Sequence, residues 1–127
     1  MQADVDQIVI SYLQGLEEAD LAKILSLFSQ EGVVHSPLYG RQKALDFYHR
    51  LFADTQQSAI TLLHIFREHQ KPEVAAAHFR YDWLLRNGAN SSFECVDIFY
   101  FDENAKIQEM HIIYDTRQTR TAFEKNP

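Results

Sequence analysis

The sequence is poor in cysteine, glycine and proline: among 127 residues there are one Cys, four Gly and three Pro. Cys95 has no partner for an internal disulfide and no CxxC neighbour, so nothing points to an oxidising compartment or a structural zinc site. The glycines and prolines do not gather into a linker, and no segment repeats. We therefore expect one domain over residues 1–127.

An excess of positive charge is also absent, since 12 Lys and Arg stand against 18 Asp and Glu and the formal net charge is −6. Without a basic stripe, nucleic acid and membrane surfaces are poor partners. No apolar run approaches the roughly 20 residues of a membrane span. The start, MQADVDQ, is acidic where a secretory signal would be basic and then apolar. We expect a cytoplasmic protein.

Aromatic residues are plentiful, with nine Phe, six Tyr and one Trp. We expect their side chains to line a core or a cavity. In the first half of the chain the apolar residues recur at helical spacing. The pattern predicts helices over 5–16, 21–28 and 44–52, with Asp4 and Asp20 as N-caps and Gly32 as the stop of the second. Between the second and third, a short strand over 33–36 ends at Pro37.

The second half alternates with a period of two, which is typical of strands. The predicted strands cover residues 59–68, 73–86, 91–101 and 106–115. Short turn signals separate them, so we expect an antiparallel meander. Because long strands twist and curl, helices on one face would leave a pocket between the two layers, in an α+β architecture.

This order of elements, with YLQGLEEADLAKILSLFSQEGVV at the front and VDIFYFDENAKIQEMHIIYD at the back, resembles the nuclear transport factor 2-like superfamily. Within it, the SnoaL-like and ketosteroid isomerase branch is most similar. The resemblance covers about residues 5–116. It implies three N-terminal helices packed in a strongly curved antiparallel sheet, forming a cone with an apolar cavity. We expect no cofactor.

The resemblance also implies a site. In the steroid isomerases a Tyr on the first helix and a protonated Asp donate hydrogen bonds to an oxyanion, while a second Asp moves the proton. These positions fall on Tyr12, Asp97 and Ser36. A serine hydroxyl is too weak a base to replace a carboxylate, so the proton carrier of that mechanism is missing. Plain alternatives are a core role for Tyr12 and a solvent-facing or structurally paired Asp97.

The resemblance, together with strand alternation, implies further side chains for the wall of the expected cavity, with the Met110 face of the last strand turned inward, although aromatic stripes are ordinarily core. The predicted ligand-binding residues are Tyr48, Phe79, Tyr81, Trp83, Phe99, Met110, Ile112 and Tyr114. Cys95 shares the inner face of its strand with Asp97, where a thiol is inert. Alternation turns His35 and His111 outward.

The six histidines do not show metal-ligand spacing, and HExxH is absent. We expect no metal site, leaving open only a site assembled by the fold from residues such as His64 and Asp115.

Two functions fit these residues. The first is an isomerase, cyclase or dehydratase acting on a small apolar carbonyl compound, with Tyr12 and Asp97 polarising the oxygen and Asp115, His64 or Tyr48 moving the proton. The second is a non-catalytic ligand-binding or dimerisation module without a general base. In either case we expect a homodimer through the outer sheet face, where Val96, Ile98 and Ile113 form an apolar patch.

Overall fold

The computed structural model describes residues 4–70 and 73–124. The elements are α1 (Val5–Glu18), α2 (Leu21–Leu27), β1 (Phe28–Ser36), β2 (Gly40–Lys43), α3 (Ala44–Asp54), β3 (Thr55–Arg67), β4 (Val74–Leu85), β5 (Asn90–Phe101), β6 (Ile107–Ile113) and α4 (Arg117–Glu124). The α+β class is confirmed. Among the described residues no helix is both long enough and apolar enough to cross a membrane.

The first two helices begin where the sequence predicts. The carboxylate of Asp4 accepts the backbone N–H of Gln7 at the start of α1, and that of Asp20 accepts the N–H of Lys23 at the start of α2. These bonds satisfy amides that have no partner within the helix. The buried face of α1 then carries Tyr12 into the core.

The four long strands form the expected antiparallel meander within a six-stranded sheet of order β2-β1-β6-β5-β4-β3. The sheet is not purely antiparallel, because β1 pairs in parallel with β6. After β1 the chain forms β2, α3 and the first three strands of the meander. The last strand, β6, then lies beside β1 and runs in the same direction. This pairing of distant segments has no local signal.

The boundary between α2 and β1 was predicted wrongly. The helix ends at Leu27 and the strand begins at Phe28, which pairs with Ile107. Gly32 lies within the strand at an irregularity of the pairing. A Cβ there would approach Phe28 Cδ2 to 2.8 Å and the Ile107 carbonyl oxygen to 3.1 Å. Gly32 therefore permits a close approach of chains, and does not stop a helix.

Three other features differ from the prediction of three helices and five strands. The short strand β2 forms a hairpin with β1, and β3 begins at Thr55, before position 59. A fourth helix, α4, follows the meander; only Thr119 and Ala122 of its polar sequence are buried. A hydrogen bond of 2.9 Å between the hydroxyls of Ser91 and Thr119 ties α4 to β5.

Helix α3 buries Ala44, Tyr48 and Leu51 of its apolar stripe as the spacing predicts, but one position of that stripe differs. Leu45 is 54% exposed, whereas Phe47 is buried beside Tyr48. The predicted turn at 69–72 lies partly outside the described residues. The β3–β4 pairing shifts register twice, between Thr55 and Gln57 and between Leu62 and His64, and such bulges bend a strand.

Candidate functional site

Asp97 is a buried carboxyl group in the middle of β5. Its cross-strand neighbours are Ala77 on β4 and Ile112 on β6, and the residue is only 2% exposed. Burial raises the pKa of Asp97 to about 7, although a hydrogen bond from the Cys95 thiol, 3.2 Å away, acts in the opposite direction. Near neutral pH the carboxyl therefore exists in both forms and can donate a proton.

In the described part of the chain, no cation pairs with this carboxyl. Within residues 4–70 and 73–124 the salt bridges leave Asp97 out. A structural aspartate on the inner face of a sheet would be expected to have a charged partner or several strong donors. Asp97 has the single weak donor Cys95, which argues against both plain alternatives, the solvent-facing residue and the structural pair.

Tyr12 and Tyr48 form a pair of buried phenols beside this carboxyl. Their hydroxyl oxygens are 2.6 Å apart, and the Tyr48 hydroxyl also donates to Met110 Sδ at 3.6 Å. Burial, followed by the neighbouring Tyr48 and Asp97, raises the pKa of Tyr12 well above its ordinary value. Burial likewise raises the pKa of Tyr48. Both groups are therefore neutral donors, not phenolates.

Tyr12 and Asp97 open on the same recess, which lies between the inner sheet face and α1 and α3. Its cavity volume is about 40 Å³, and the figure rises to about 430 Å³ only when all atom-free space, including open solvent at the mouth, is counted. The lining side chains are Tyr12, Leu16, Ser36, Leu38, Tyr39, Phe47, Leu51, Phe79, Tyr81, Trp83, Phe93, Cys95, Asp97, Ile112 and Tyr114. The wall is almost entirely apolar.

Several polar atoms of this wall are occupied by partners. Trp83 Nε1 donates to Thr55 Oγ1 at 2.8 Å, and the Tyr81 hydroxyl lies 3.1 Å from Ser58 Oγ. Tyr39 donates to the Asp54 carboxylate at 2.7 Å. With these groups engaged, the rings offer mainly apolar surface to the recess. Asp97 and the Tyr114 hydroxyl, which has no hydrogen-bond partner within the described residues, are left to bind a polar atom there.

The predicted site residues divide into two groups. Tyr12, Asp97 and Ser36 all line the recess, as do Phe79, Tyr81, Trp83, Ile112 and Tyr114. Tyr48, Phe99 and Met110 are fully buried but lie outside the lining. Tyr48 stands behind Tyr12, and Phe99 packs edge-to-face against the Tyr12 ring at 5.2 Å.

Ser36 has a structural task in addition to its place at the recess. Its Oγ accepts the backbone N–H groups of Leu38 at 3.1 Å and Tyr39 at 3.0 Å. The hydroxyl thereby holds the turn between β1 and β2. Because both bonds use the oxygen as an acceptor, they make it no more basic, and the missing base is not supplied here.

Residues 9–110 match the model of the SnoaL-like domain family. The chain belongs to the SnoaL-like family. The nuclear transport factor 2-like superfamily is thereby confirmed. A search of curated protein sequences finds no match for this SnoaL-like chain.

Solved structures share the fold of this SnoaL-like protein. An NTF2-like protein of unknown function from Burkholderia pseudomallei superposes with a TM-score of 0.80 at 13% identity, covering 95% of this chain and 98% of that one. A protein with a ketosteroid isomerase-like fold from Catenulispora acidiphila gives 0.77 at 11% identity, with coverages of 91% and 90%. The epoxide hydrolase/cyclase-like enzyme SalBIII of pyran ring formation in salinomycin gives 0.76 at 16%, with 90% and 92%. At these identities the likeness concerns the fold alone.

None of the three alternative proton carriers lines the recess. His64 lies on the outer sheet face, where its ring stacks on His78 at 5.6 Å. Asp115 is exposed and accepts the Arg117 N–H at the start of α4. Tyr48 is separated from the recess by Tyr12. Among the described lining residues, Asp97 is the single carboxyl group, and no imidazole accompanies it.

The Cys95 thiol is a poor nucleophile. Burial, together with the nearby Asp97 charge, raises the pKa of Cys95 far above its ordinary value. A thiol that stays protonated does not attack carbon or bind metal readily. Its role in the SnoaL-like site is to donate a weak hydrogen bond to Asp97.

Sequence reasoning missed several lining residues. Phe93 lies two positions before Cys95, so strand alternation could have assigned it to the inner face. Leu16 lies one helical turn after Tyr12 and carried the same signal. Tyr39 and Leu38 sit in a turn, where no periodicity reports orientation. Their position depends on α4, whose Arg120 donates to the Pro37 carbonyl at 2.8 Å.

Proposed function

We propose that this SnoaL-like protein binds a small apolar carbonyl compound in the recess and that the protonated Asp97 carboxyl, together with Tyr12, donates hydrogen bonds to the carbonyl oxygen. The observation that carries the proposal is the buried Asp97 carboxyl, without a cationic partner, in an otherwise apolar wall. A neutral carboxyl is a strong donor, and an apolar site strengthens it.

Tyr12 can join Asp97 through a change of hydrogen-bond direction. When Tyr48 donates to Met110, Tyr12 must donate to Tyr48. When a ligand oxygen enters, Tyr48 can instead donate to Tyr12, whose own proton then turns to the ligand. An oxygen acceptor is better than a thioether, so this exchange makes a stronger set of bonds.

Polarisation of a carbonyl by a general acid is the first half of enolisation, ring closure and dehydration. The structural neighbour described as an epoxide hydrolase/cyclase-like enzyme is in keeping with this class. The reaction we propose for the SnoaL-like recess is the rearrangement of a ketone or enone in which Asp97, as the acid, gives its proton to the carbonyl oxygen. The Asp97 carboxylate that remains is the one base in the described lining, and it takes the proton released from the α-carbon.

Binding without turnover is the second candidate function. The lining residues in the described part of the chain offer no base besides Asp97, and a site with one carboxyl group can only hold the ligand oxygen if nothing removes a proton. The same recess then serves as a plain ligand-binding module.

Acetophenone and ethylbenzene separate these possibilities, because they share a shape and differ in the carbonyl. Trp83 is the one tryptophan and lines the recess, so its fluorescence reports occupancy. We expect acetophenone to bind wild type more tightly, and Asp97→Ala to weaken acetophenone by about tenfold with little effect on ethylbenzene. Equal losses for both ligands would overturn the proposal.

Turnover is measured by deuterium exchange at the acetophenone methyl group in D2O. Asp97→Asn keeps a hydrogen-bond donor but cannot give up a proton at neutral pH. Exchange that is fast in wild type and lost in Asp97→Asn, while binding persists, supports the enzyme. Exchange no faster than in buffer, with binding intact, supports the binding module.

We also propose that two copies associate through the outer sheet face. Val96 and Ile113 are cross-strand partners there, Ile98 follows on the same face of β5, and Ile113 is 52% exposed. Apolar side chains side by side on an open sheet favour burial against a second copy.

A further inference from the structure

A cluster of three side chains that can bind metal lies on the outer sheet face, away from the recess. His35 on β1 and His111 on β6 are register partners, and Glu109 precedes His111 by two positions on the same face. Their ligand atoms all lie within 4.8 Å of one another. The spacing of these residues in the chain does not indicate a common site. The parallel pairing of β1 with β6 brings the three side chains together.

The contacts within the cluster are close but incompletely matched. Glu109 Oε2 lies 2.8 Å from His35 Nε2 and 2.9 Å from His111 Nε2. The bond from His111 has hydrogen-bond geometry. His35 Nε2 is shielded from solvent and forms no hydrogen bond, so its N–H direction misses the oxygen despite the short distance.

A ring nitrogen that is buried without a hydrogen-bond partner destabilises the folded protein. In a chelate, the lone pairs of the ligands converge on a third point and not on each other. The His35 nitrogen has no partner and is free to turn to such a point, whereas the His111 nitrogen is aimed at the Glu109 oxygen. The rings of His35 and His111 are stacked 4.1 Å apart with their planes at 12°, so one ring must rotate before both nitrogens can bind one ion.

We infer that His35, Glu109 and His111 bind one divalent transition-metal ion of the Zn²⁺ type. Two imidazoles and a carboxylate are a set that Zn²⁺ accepts, with ligand bonds of about 2.0–2.1 Å. Ligands at those bond lengths stand about 3.3 Å apart around a tetrahedral ion, so the two N–O contacts need to open by only about half an ångström. The three side chains are about one-third exposed in the single chain. His111 is also the register partner of Ile98 in the proposed dimer patch, so the fourth position is open to water in the monomer and faces the second copy in the dimer.

The chain contains a matched control on the same face. His78 Nε2 lies 2.8 Å from Glu94 Oε1, and His78 stacks on His64 at 5.6 Å. These residues form no cluster of three ligands in the described part of the chain. They have the same residue types as the cluster, are also partly exposed and lie on the same sheet face. They differ in that their ligand atoms do not come together in a group of three.

The test is calorimetric titration of the tag-free chain with Zn²⁺. We expect one ion per chain, a loss of affinity of at least about tenfold in His111→Ala and Glu109→Gln, and unchanged affinity in His78→Ala. His35→Asn serves as an additional variant, and circular dichroism checks that each variant is folded. Zn²⁺ should also raise the melting temperature of wild type, since the ion binds the folded state.

Two results would overturn the inference. One is the absence of Zn²⁺ binding and of a melting-temperature rise in wild type. The other is a loss of Zn²⁺ affinity in His78→Ala as large as that in His111→Ala. That result would mean that Zn²⁺ binds to scattered surface histidines and not to the cluster. Neither result bears on the recess, because the cluster lies on the opposite face of the sheet and ligand binding at Asp97 is measured separately.

Discussion

The hydroxyl oxygens of Tyr12 and Tyr48 lie 2.6 Å apart, although the residues are 36 positions apart in the sequence. Tyr48 has a second partner, the Met110 sulfur, and Tyr12 has no other in the described residues. The pair therefore connects α1 to α3 directly behind the recess, and its two members are not equivalent.

This asymmetry predicts unequal effects on stability. Tyr48→Phe leaves the Tyr12 hydroxyl buried without a partner, which should lower the free energy of unfolding by about 1–3 kcal/mol. Tyr12→Phe should cost less, because Tyr48 keeps Met110. The double variant should be more stable than Tyr48→Phe alone. Urea unfolding of the four proteins checks this, and strictly additive losses would contradict the pairing.

Asp97 makes stability depend on pH. Its pKa is raised to about 7 in the folded protein, so between the ordinary carboxyl range and pH 7 the folded state holds a proton that the unfolded state has lost. The contribution of Asp97 to the free energy of unfolding is therefore complete at low pH. It is lost as the pH rises toward 7, by on the order of 4 kcal/mol in total.

Urea unfolding at about pH 5 and about pH 8, followed by Trp83 fluorescence, measures this fall. Asp97→Asn should flatten the dependence and be the more stable protein at the higher pH. The exposed Asp46→Asn is the control and should keep the wild-type slope. A wild-type protein that gains stability over this range would refute the buried neutral carboxyl.

Ser36→Asp should add the missing base to the recess. An aspartate oxygen can still accept the N–H groups of Leu38 and Tyr39, so the turn should survive. We expect faster deuterium exchange of acetophenone than in wild type, by about tenfold or more. Ser36→Asn, which keeps the acceptor but not the basicity, should leave the rate unchanged; an equal gain in both variants would argue against proton removal at this position.

The proposed dimer depends on the outer face. Ile113→Lys places a charge beside Val96, which a dimer would have to bury. Light scattering should show a dimer mass for wild type and a monomer mass for the variant. Exposed Leu45 lies on α3, away from this face, and Leu45→Lys should remain dimeric. A wild-type monomer at all concentrations would defeat this proposal.

The sequence predicted those parts of the molecule that carry a local signal. The stripe that places Tyr12 on α1, the caps at Asp4 and Asp20, and the alternation that points Asp97 and Trp83 inward are all periodic or adjacent in sequence. Each of these features is present in the structure. The class of fold and the inner face of the sheet could therefore be derived from neighbouring residues.

Other features depend on contacts between distant segments. The parallel pairing of β1 with β6 brings His35 beside His111. The residue pattern of either strand does not indicate which strand it pairs with. Helix α4 is too polar to show an apolar helical pattern in the sequence. It nevertheless contacts the turn that places Tyr39 at the recess, through the bond from Arg120 to the Pro37 carbonyl. Phe47 was missed because Leu45 completes an equally good helical stripe, and only packing against the sheet decides between them.

The proposed binding of a carbonyl oxygen requires a protonated Asp97, and the ¹³C chemical shift of the Asp97 carboxyl measures its protonation directly. In the free protein the carboxyl should titrate with a pKa near 7, as its burial implies. Saturating acetophenone should raise that pKa further, because a ligand that binds the protonated form stabilises it. A carboxyl that is already ionised at about pH 5, or a pKa that acetophenone leaves unchanged, would contradict the account.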